Sequence, residues 1–198
     1  MSTFRLAIDT DLELRLLEPE HAEELFALTD RNRQHLRPWL SWVDWARSAD
    51  GTREFLESSL ERFKSGWTLQ AGLWWKGKLV GSISLDWIDS GNKSTSVSYW
   101  LDAGHQGRGI MTRSCRALVD YAFRERELNR IALLCTPENR RSRAVAERLG
   151  FKQEGVQRQA YWMYDHFEDL VLYAMLASEW SAALRQTEPQ PAASPAEG

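Results

Sequence analysis

The sequence predicts an α/β (α+β) protein built on a mixed, mostly antiparallel central sheet of about seven strands flanked by helices. Three observations carry this expectation. The periodicities alternate in the order β-α-α-β-β-β-α-β-α-β-β. Short turn signals join several consecutive strands, which makes those neighbours antiparallel. One strand–helix–strand passage spans residues 94–135, and such a crossover makes its two strands parallel.

Phe4 to Leu17 alternates Leu12, Leu14 and Leu16 with Asp11, Glu13 and Arg15, the period of a strand. Pro19 suits the first turn of a helix carrying Ala22, Leu25, Phe26 and Thr29 on one side. Arg33 to Arg47 has no period. Asp50 or Thr52 could cap a second helix with Leu56, Leu60 and Phe63 in register, and Gly66 ends it. Trp67–Trp75 and Leu79–Trp87 flank Lys76-Gly77-Lys78, a hairpin signal. After Asp89-Ser90-Gly91-Asn92 comes the strand Ser94–Leu101, then a glycine loop and a helix to about Arg126. Arg130–Cys135 is a short apolar strand. Pro137, Glu138 and Asn139 open a helix through Val145, Ala146 and Leu149 that stops at Gly150. Phe151–Trp162 and Asp169–Met175 read as two final strands. One domain over residues 1–184 is expected. Residues 185–198, rich in proline and without aromatic or branched aliphatic residues, are expected to form a disordered tail.

Composition narrows the function classes. A net charge of −3 gives no general reason to expect nucleic-acid binding. No stretch approaches the ~20 apolar residues of a membrane span, and the charged N-terminus is unlike a signal peptide. Two cysteines, Cys115 and Cys135, suit a buried reduced pair and a cytoplasmic location. His21, His35, His105 and His166 show no metal-ligand spacing, so no metal is expected. Ten tryptophans are unusual for 198 residues; Trp67, Trp74, Trp87 and Trp180 are expected in the core.

The segment Gln106-Gly107-Arg108-Gly109-Ile110-Met111-Thr112 carries the most chemistry. Two glycines at a strand-to-helix junction let the backbone turn with its N–H groups outward. The first N–H groups of the next helix lack intrahelical partners and sit at the positive dipole end. The junction therefore suits an anion, most often phosphate. A nucleotide P-loop would need Gly-Lys-Ser/Thr, and a dinucleotide fingerprint a third glycine at Thr112; neither is present. A glycine-relieved turn capping a helix would explain the glycines equally well.

Neighbouring residues decide between these readings. The loop resembles the Gln/Arg-x-x-Gly-x-Gly/Ala signature of the GNAT family of N-acetyltransferases, with Gln106 first, Gly109 in the glycine slot and Met111 departing from the last position. Asn139-x-x-Ser142 followed by Arg148-Leu149-Gly150-Phe151 resembles that family's second coenzyme-A element. Tyr99-Trp100-Leu101-Asp102, Glu154-Gly155 and Leu172-Tyr173-Ala174 resemble its RimL/RimJ branch, which acetylates protein N-termini.

The resemblance implies the GNAT fold and direct transfer of acetyl from acetyl-CoA, as cosubstrate, to a primary amine. Backbone N–H groups from Gly107 to Thr112 would hold the pyrophosphate, with Gln106 and Arg108 in the same loop. Trp100 and Leu101 would pair with the pantetheine, and the Leu101 N–H would polarise the thioester. Asn139 would bind the pantetheine arm or serve as a plain helix cap. Arg140, Arg141 and Arg143 would meet a phosphate or form a solvated helix face. Ser142 would be the general acid, or a small residue that admits the coenzyme; the alternative tyrosine slot holds Ala146.

The usual bases are missing, because their slots hold Ser96 and Tyr161. A water relayed by Ser96, Asp86 or Tyr161 could serve an acceptor of modest basicity. An α-amine of pKa ~8 is on the order of a tenth neutral at pH 7, whereas a lysine at ~10.4 is almost wholly charged. Trp39, Trp42, Trp45 and Trp162 form either a substrate wall or packing between helices and sheet. The favoured acceptor is a protein N-terminal α-amine of the ribosomal-protein type. The alternatives are a small molecule such as an aminoacyl-nucleotide antibiotic, and a non-catalytic acyl-CoA sensor. Relatives also imply a homodimer.

Overall fold

The computed structural model describes residues 4–180. Eight strands form one sheet in the order β1-β2-β3-β4-β5-β6-β8-β7. They are β1 (Arg5–Ala7), β2 (Leu12–Leu16), β3 (Leu69–Trp75), β4 (Lys78–Asp89), β5 (Ser94–Leu101), β6 (Arg130–Cys135), β7 (Lys152–Met163) and β8 (His166–Leu176). The helices are α1 (Ala22–Arg31), α2 (Arg33–Leu36), α3 (Ala49–Lys64), α4 (Ile110–Arg124) and α5 (Arg140–Arg148). Of the paired strands only β5 and β6 are parallel.

The mixed, mostly antiparallel sheet is as expected, with one strand more. Residues 4–17 form a hairpin rather than a single strand. The Asp9 carboxylate accepts the N–H groups of Asp11 and Leu12 at 2.9 and 3.0 Å, and this local turn reverses the chain inside an otherwise alternating run. Ser48, not Asp50 or Thr52, caps α3, accepting the Gly51 N–H at 3.1 Å. The aperiodic stretch 33–47 contains α2 and a 3-10 turn at Ser41–Asp44. Trp67 and Trp87, expected in the core, are 56% and 73% exposed, whereas Trp74 and Trp180 are buried. Trp87 has φ 52° at a bulge where the β4–β5 register shifts, and the bulge turns its indole outward. The tail at 185–198 lies outside the described residues.

Alternation along the strands sends side chains to two different layers. Leu69, Ala71, Leu73, Ile83, Leu85 and Val97 join the main core with α4 and α5. Trp74 and Leu79 pack instead with Leu25, Leu28 and Leu56 of α1 and α3. At ~25 cal/mol per Å² of apolar surface, each fully buried leucine contributes about 2 kcal/mol. Among the described residues, no helix is long and apolar enough to cross a membrane.

Two features of this frame shape the site. The β5–β6 ladder is confined to Ser94–Ser96 against Arg130–Ala132, so the rest of β5 loses its partner and the strands splay. On the other side of β5, Gly81 of β4 comes so close that a Cβ there would lie 2.3 Å from the Trp100 carbonyl oxygen. Gly81 thus lets β4 press against the free end of β5.

Candidate active site

Two cavities meet at the end of β5. The larger, about 1100 Å³, is lined by α2, by Tyr99, Trp100 and Leu101, by the glycine loop and by the start of α5. The smaller, about 490 Å³, lies between the sheet and α1, α3 and the 40–46 segment. Leu40, Tyr99 and Trp100 line both. Successive residues of a strand point to opposite faces, so the single strand β5 can serve as the partition.

The glycine loop opens onto the larger cavity. Gly107 and Gly109 have φ of 74° and 70°, the left-handed region that favours glycine. A Cβ on either would meet nothing within 4 Å, so it is the backbone conformation rather than crowding that selects glycine. Ile110 and Met111 are buried in the core, which leaves their backbone at the cavity surface. Among the described residues no acceptor takes an N–H from Gly107 through Thr112. Free N–H groups at the start of a fifteen-residue helix favour an anion.

Three side chains span this cavity. His35 Nε2 lies 2.7 Å from Gln106 Nε2, and Arg141 donates to Gln106 Oε1. Burial, with Arg141 nearby, holds the His35 imidazole below its ordinary pKa. A neutral ring accepts the Gln106 N–H at Nε2 and keeps its proton on Nδ1, toward the Leu101 backbone. Asn32, buried, accepts the Ala103 N–H at 2.9 Å and donates to Asp102 at 2.6 Å, fixing α1 to the same loop.

Ser142 sits on the far wall. Its N–H donates to Asn139 Oδ1 at 3.1 Å, so Asn139 is a helix cap and a wall of the cavity at once. The Tyr99 hydroxyl donates to the Ser142 carbonyl at 3.2 Å and lies 3.1 Å from its Oγ. Burial pushes the Tyr99 hydroxyl far above its ordinary pKa and keeps it neutral. Burial raises the Cys135 thiol and pushes Cys115 up to about 12, and both cysteines are buried and free.

The smaller cavity has a polar floor under aromatic walls. Gln70 donates to Ser82 Oγ at 2.5 Å, Ser84 Oγ lies 2.8 Å from Ser98 Oγ, and Ser98 donates to Asp86. Trp42, Trp45, Phe55 and Trp100 form the walls. The Trp42 and Trp100 ring centroids are 6.4 Å apart.

Fourteen of the eighteen site residues named from sequence line one of the two cavities, but on different sides of the junction. The larger cavity collects Trp39, Trp100, Leu101, Gln106, Gly107, Gly109, Ile110, Met111, Thr112, Asn139 and Ser142. Trp42, Trp45 and Asp86 line the smaller one. Arg108, Ser96, Tyr161 and Trp162 line neither cavity. Tyr161 instead ties β7 to the 40s segment, receiving the Ser41 N–H at 2.9 Å, and Trp162 packs on Phe167 at 4.8 Å. Arg143 is held by Tyr173 and the Pro137 carbonyl, while Arg140 and Arg141 face the larger cavity. Sequence reasoning missed Tyr99, His35, Ser84, Ser98 and Phe55. The signal for the serines was present: Ser82, Ser84 and Asp86 alternate on β4 as Ser96 and Ser98 do on β5.

A glycine loop with free N–H groups, splayed parallel strands and an adjoining second cavity are the features expected of an acyltransferase that takes its acyl group from a phosphorylated carrier. Comparison with known proteins gives the family. A family model described as an acetyltransferase (GNAT) domain matches residues 11–152, and the chain belongs to the GNAT acetyltransferases. It is 39% identical over 89% of its length, and 97% of the relative's, to a Bacillus subtilis protein, YdaF, provisionally named a ribosomal N-acetyltransferase. It is 30% identical to the ribosomal-protein-serine acetyltransferase of Escherichia coli, over 88% of this chain and 97% of that one. Among solved structures, RimL, a ribosomal α-N-protein acetyltransferase in complex with coenzyme A, superposes with a TM-score of 0.85 at 29% identity, covering 87% and 98% of the two chains. A microcin self-immunity acetyltransferase, in complex with acetyl-CoA and AMP, does so at 0.82 and 26% identity, covering 85% and 94%.

Proposed function

We propose that this protein transfers acetyl from acetyl-CoA to the α-amine of a protein N-terminus, with a ribosomal protein as the favoured type of substrate. The observation that carries the reading is the junction of the two cavities at Tyr99 and Trp100, with a free N–H cradle on one side and a carboxylate-ended hydroxyl row on the other. Acetyl-CoA supplies the activated thioester. The N–H groups from Gly107 to Thr112 hold its pyrophosphate, aided by Gln106, Arg108 and Arg141. Trp100, Leu101 and Asn139 align the pantetheine arm.

The acceptor amine enters from the smaller cavity and loses a proton through a water to Ser98 and on to Asp86. Of the three relays considered from sequence, Asp86 is favoured, since Ser96 and Tyr161 line neither cavity. The neutral nitrogen attacks the thioester carbonyl, the C–N bond forms and the C–S bond breaks. Ser142, its hydroxyl oriented by Tyr99, gives a proton to the departing thiolate, and the second proton lost from nitrogen replaces it. Residues 1–184 act as one domain, in the cytoplasm. The outward-facing, exposed β7 suits a homodimer.

Coenzyme-A release with α-amine and lysine-type acceptors tests the reading. An α-amine peptide is expected to react at pH 7 at least about tenfold faster than an Nα-blocked lysine peptide. Equal rates would refute an α-amine enzyme. Asp86→Asn is expected to lower kcat by about a hundredfold with little change in the KM for acetyl-CoA. A second reading, acetylation of an aminoacyl nucleotide, draws on the aromatic walls at Trp42, Trp45 and Phe55, which could stack a base.

A further inference from the structure

Charge is divided unequally between the two cavities. His35, Arg113, Arg140, Arg141 and Arg148 all line the donor side. None of the residues lining the acceptor cavity is Lys, Arg or His, and its one ionisable carboxylate is Asp86. Its mouth is apolar and open to solvent: Trp42, Trp45 and Phe55 are 38%, 79% and 45% exposed. Exposed aromatic surface gathered around a concave site marks a place where a ligand covers it. The nearby Arg47 lies over the Trp45 ring at 5.8 Å, donates to the Asp44 carbonyl and is not part of the wall.

An anionic group carried into this cavity would lose its water, find no cation among the lining residues, with Arg33 turned to the Val43 and Ala46 carbonyls, and face Asp86. A like-charge approach in a desolvated site is strongly unfavourable. A cationic group meets no such penalty, because indole faces attract cations, and an apolar group gains more by burying its surface against them. Hydroxyls along the floor can satisfy the amide groups of a peptide backbone.

We infer that the acceptor cavity selects an N-terminus that carries no negative charge at its first two positions, with an apolar second side chain covering Trp45 and Phe55. The inference rests on the α-amine reading above and specifies which N-termini that activity uses. It also disfavours acceptors with a phosphate or a free carboxylate beside the amine.

Steady-state kinetics with dipeptide amides test it, because their α-amines differ little in basicity. The series is Ala-Leu, Ala-Lys and Ala-Asp amides, with Ala-Leu bearing a free carboxylate as a fourth member. The expected order of kcat/KM is Leu first, Lys next and Asp at least about tenfold below Leu. The free-carboxylate dipeptide should fall below its amide. Ala46→Lys, which places a cation on the cavity wall, should narrow the gap between Leu and Asp severalfold. Trp45→Ala and Phe55→Ala should raise the KM for the Leu acceptor more than that for the Lys acceptor. Equal use of the Asp and Leu amides, or an Ala46→Lys enzyme with unaltered preference, would overturn the inference while leaving α-amine transfer standing. No coenzyme-A release with any dipeptide amide would sink the α-amine reading itself.

Discussion

In the proposed mechanism three hydroxyl-bearing residues take the roles that no histidine or glutamate fills. Tyr99, neutral because of its burial, holds the Ser142 hydroxyl at 3.1 Å, and Ser98 links the acceptor cavity to Asp86. If Ser142 is the acid and Tyr99 only orients it, their effects overlap. Ser142→Ala should then lower kcat about a hundredfold with little change in acetyl-CoA binding. Tyr99→Phe, which removes one hydrogen bond of ~1 kcal/mol, should cost about fivefold. The double variant should be no slower than Ser142→Ala alone; multiplying losses in that cycle would give Tyr99 a separate role. From sequence, Ser142 could be singled out only through the spacing from Asn139 that resembles the family's second element. Tyr99 could not, because its partner is 43 residues away in the chain.

Between elements, the site depends on contacts that bind α2, the glycine loop and α5 around one opening. His35 of α2 accepts from Gln106, and Gln106 accepts from Arg141 of α5. The His35 pKa is held below the ordinary 6.5, so the folded state takes up a proton less readily than the unfolded chain. The stabilisation is therefore present above pH 6.5 and is lost as pH falls toward and through the folded value. Protonation also removes the Nε2 acceptor and adds positive charge beside Arg141. Melting temperatures between pH 7.5 and 5 should fall more steeply in the wild-type protein than in His35→Gln. Parallel curves for the two would show that His35 does not report on this opening. The elements themselves were largely legible in the sequence. Ser94–Leu101 and Arg130–Cys135 have the boundaries expected from their apolar runs. The initial hairpin was not legible, because its Leu/charged alternation continues through the turn and only the Asp9 side chain breaks it.

For the whole molecule, the cavity at the end of β5 is lined by three segments far apart in the chain, residues 34–40, 99–113 and 138–148. A ligand that bridges them stabilises the folded state in proportion to the logarithm of its concentration. Acetyl-CoA at a hundred times its Kd should add about 2.7 kcal/mol and raise Tm by roughly 5–10 °C. Loss of the shift in a Gly109→Val variant would locate the effect in the loop. That variant forces a branched side chain into φ 70°, so its own folding must be checked by circular dichroism. An unchanged wild-type Tm with acetyl-CoA present would contradict the donor site.

The sequence by itself determined the sheet class and the crossover, because each is written in a short stretch of chain, whereas acetyl-CoA as the donor came through the resemblance of Gln106–Met111 and Asn139–Ser142 to the family's coenzyme-A elements. Local periodicity, glycine placement and helix capping act over a few residues and need no distant partner. Only the tertiary structure decided which tryptophans line the smaller cavity, which carboxylate stands at the end of the hydroxyl row and which tyrosine meets Ser142. Those facts depend on strand register and on the parity of facing residues. One bulge at Trp87 and one close approach at Gly81 set both, and neither can be read from the residues on a single strand.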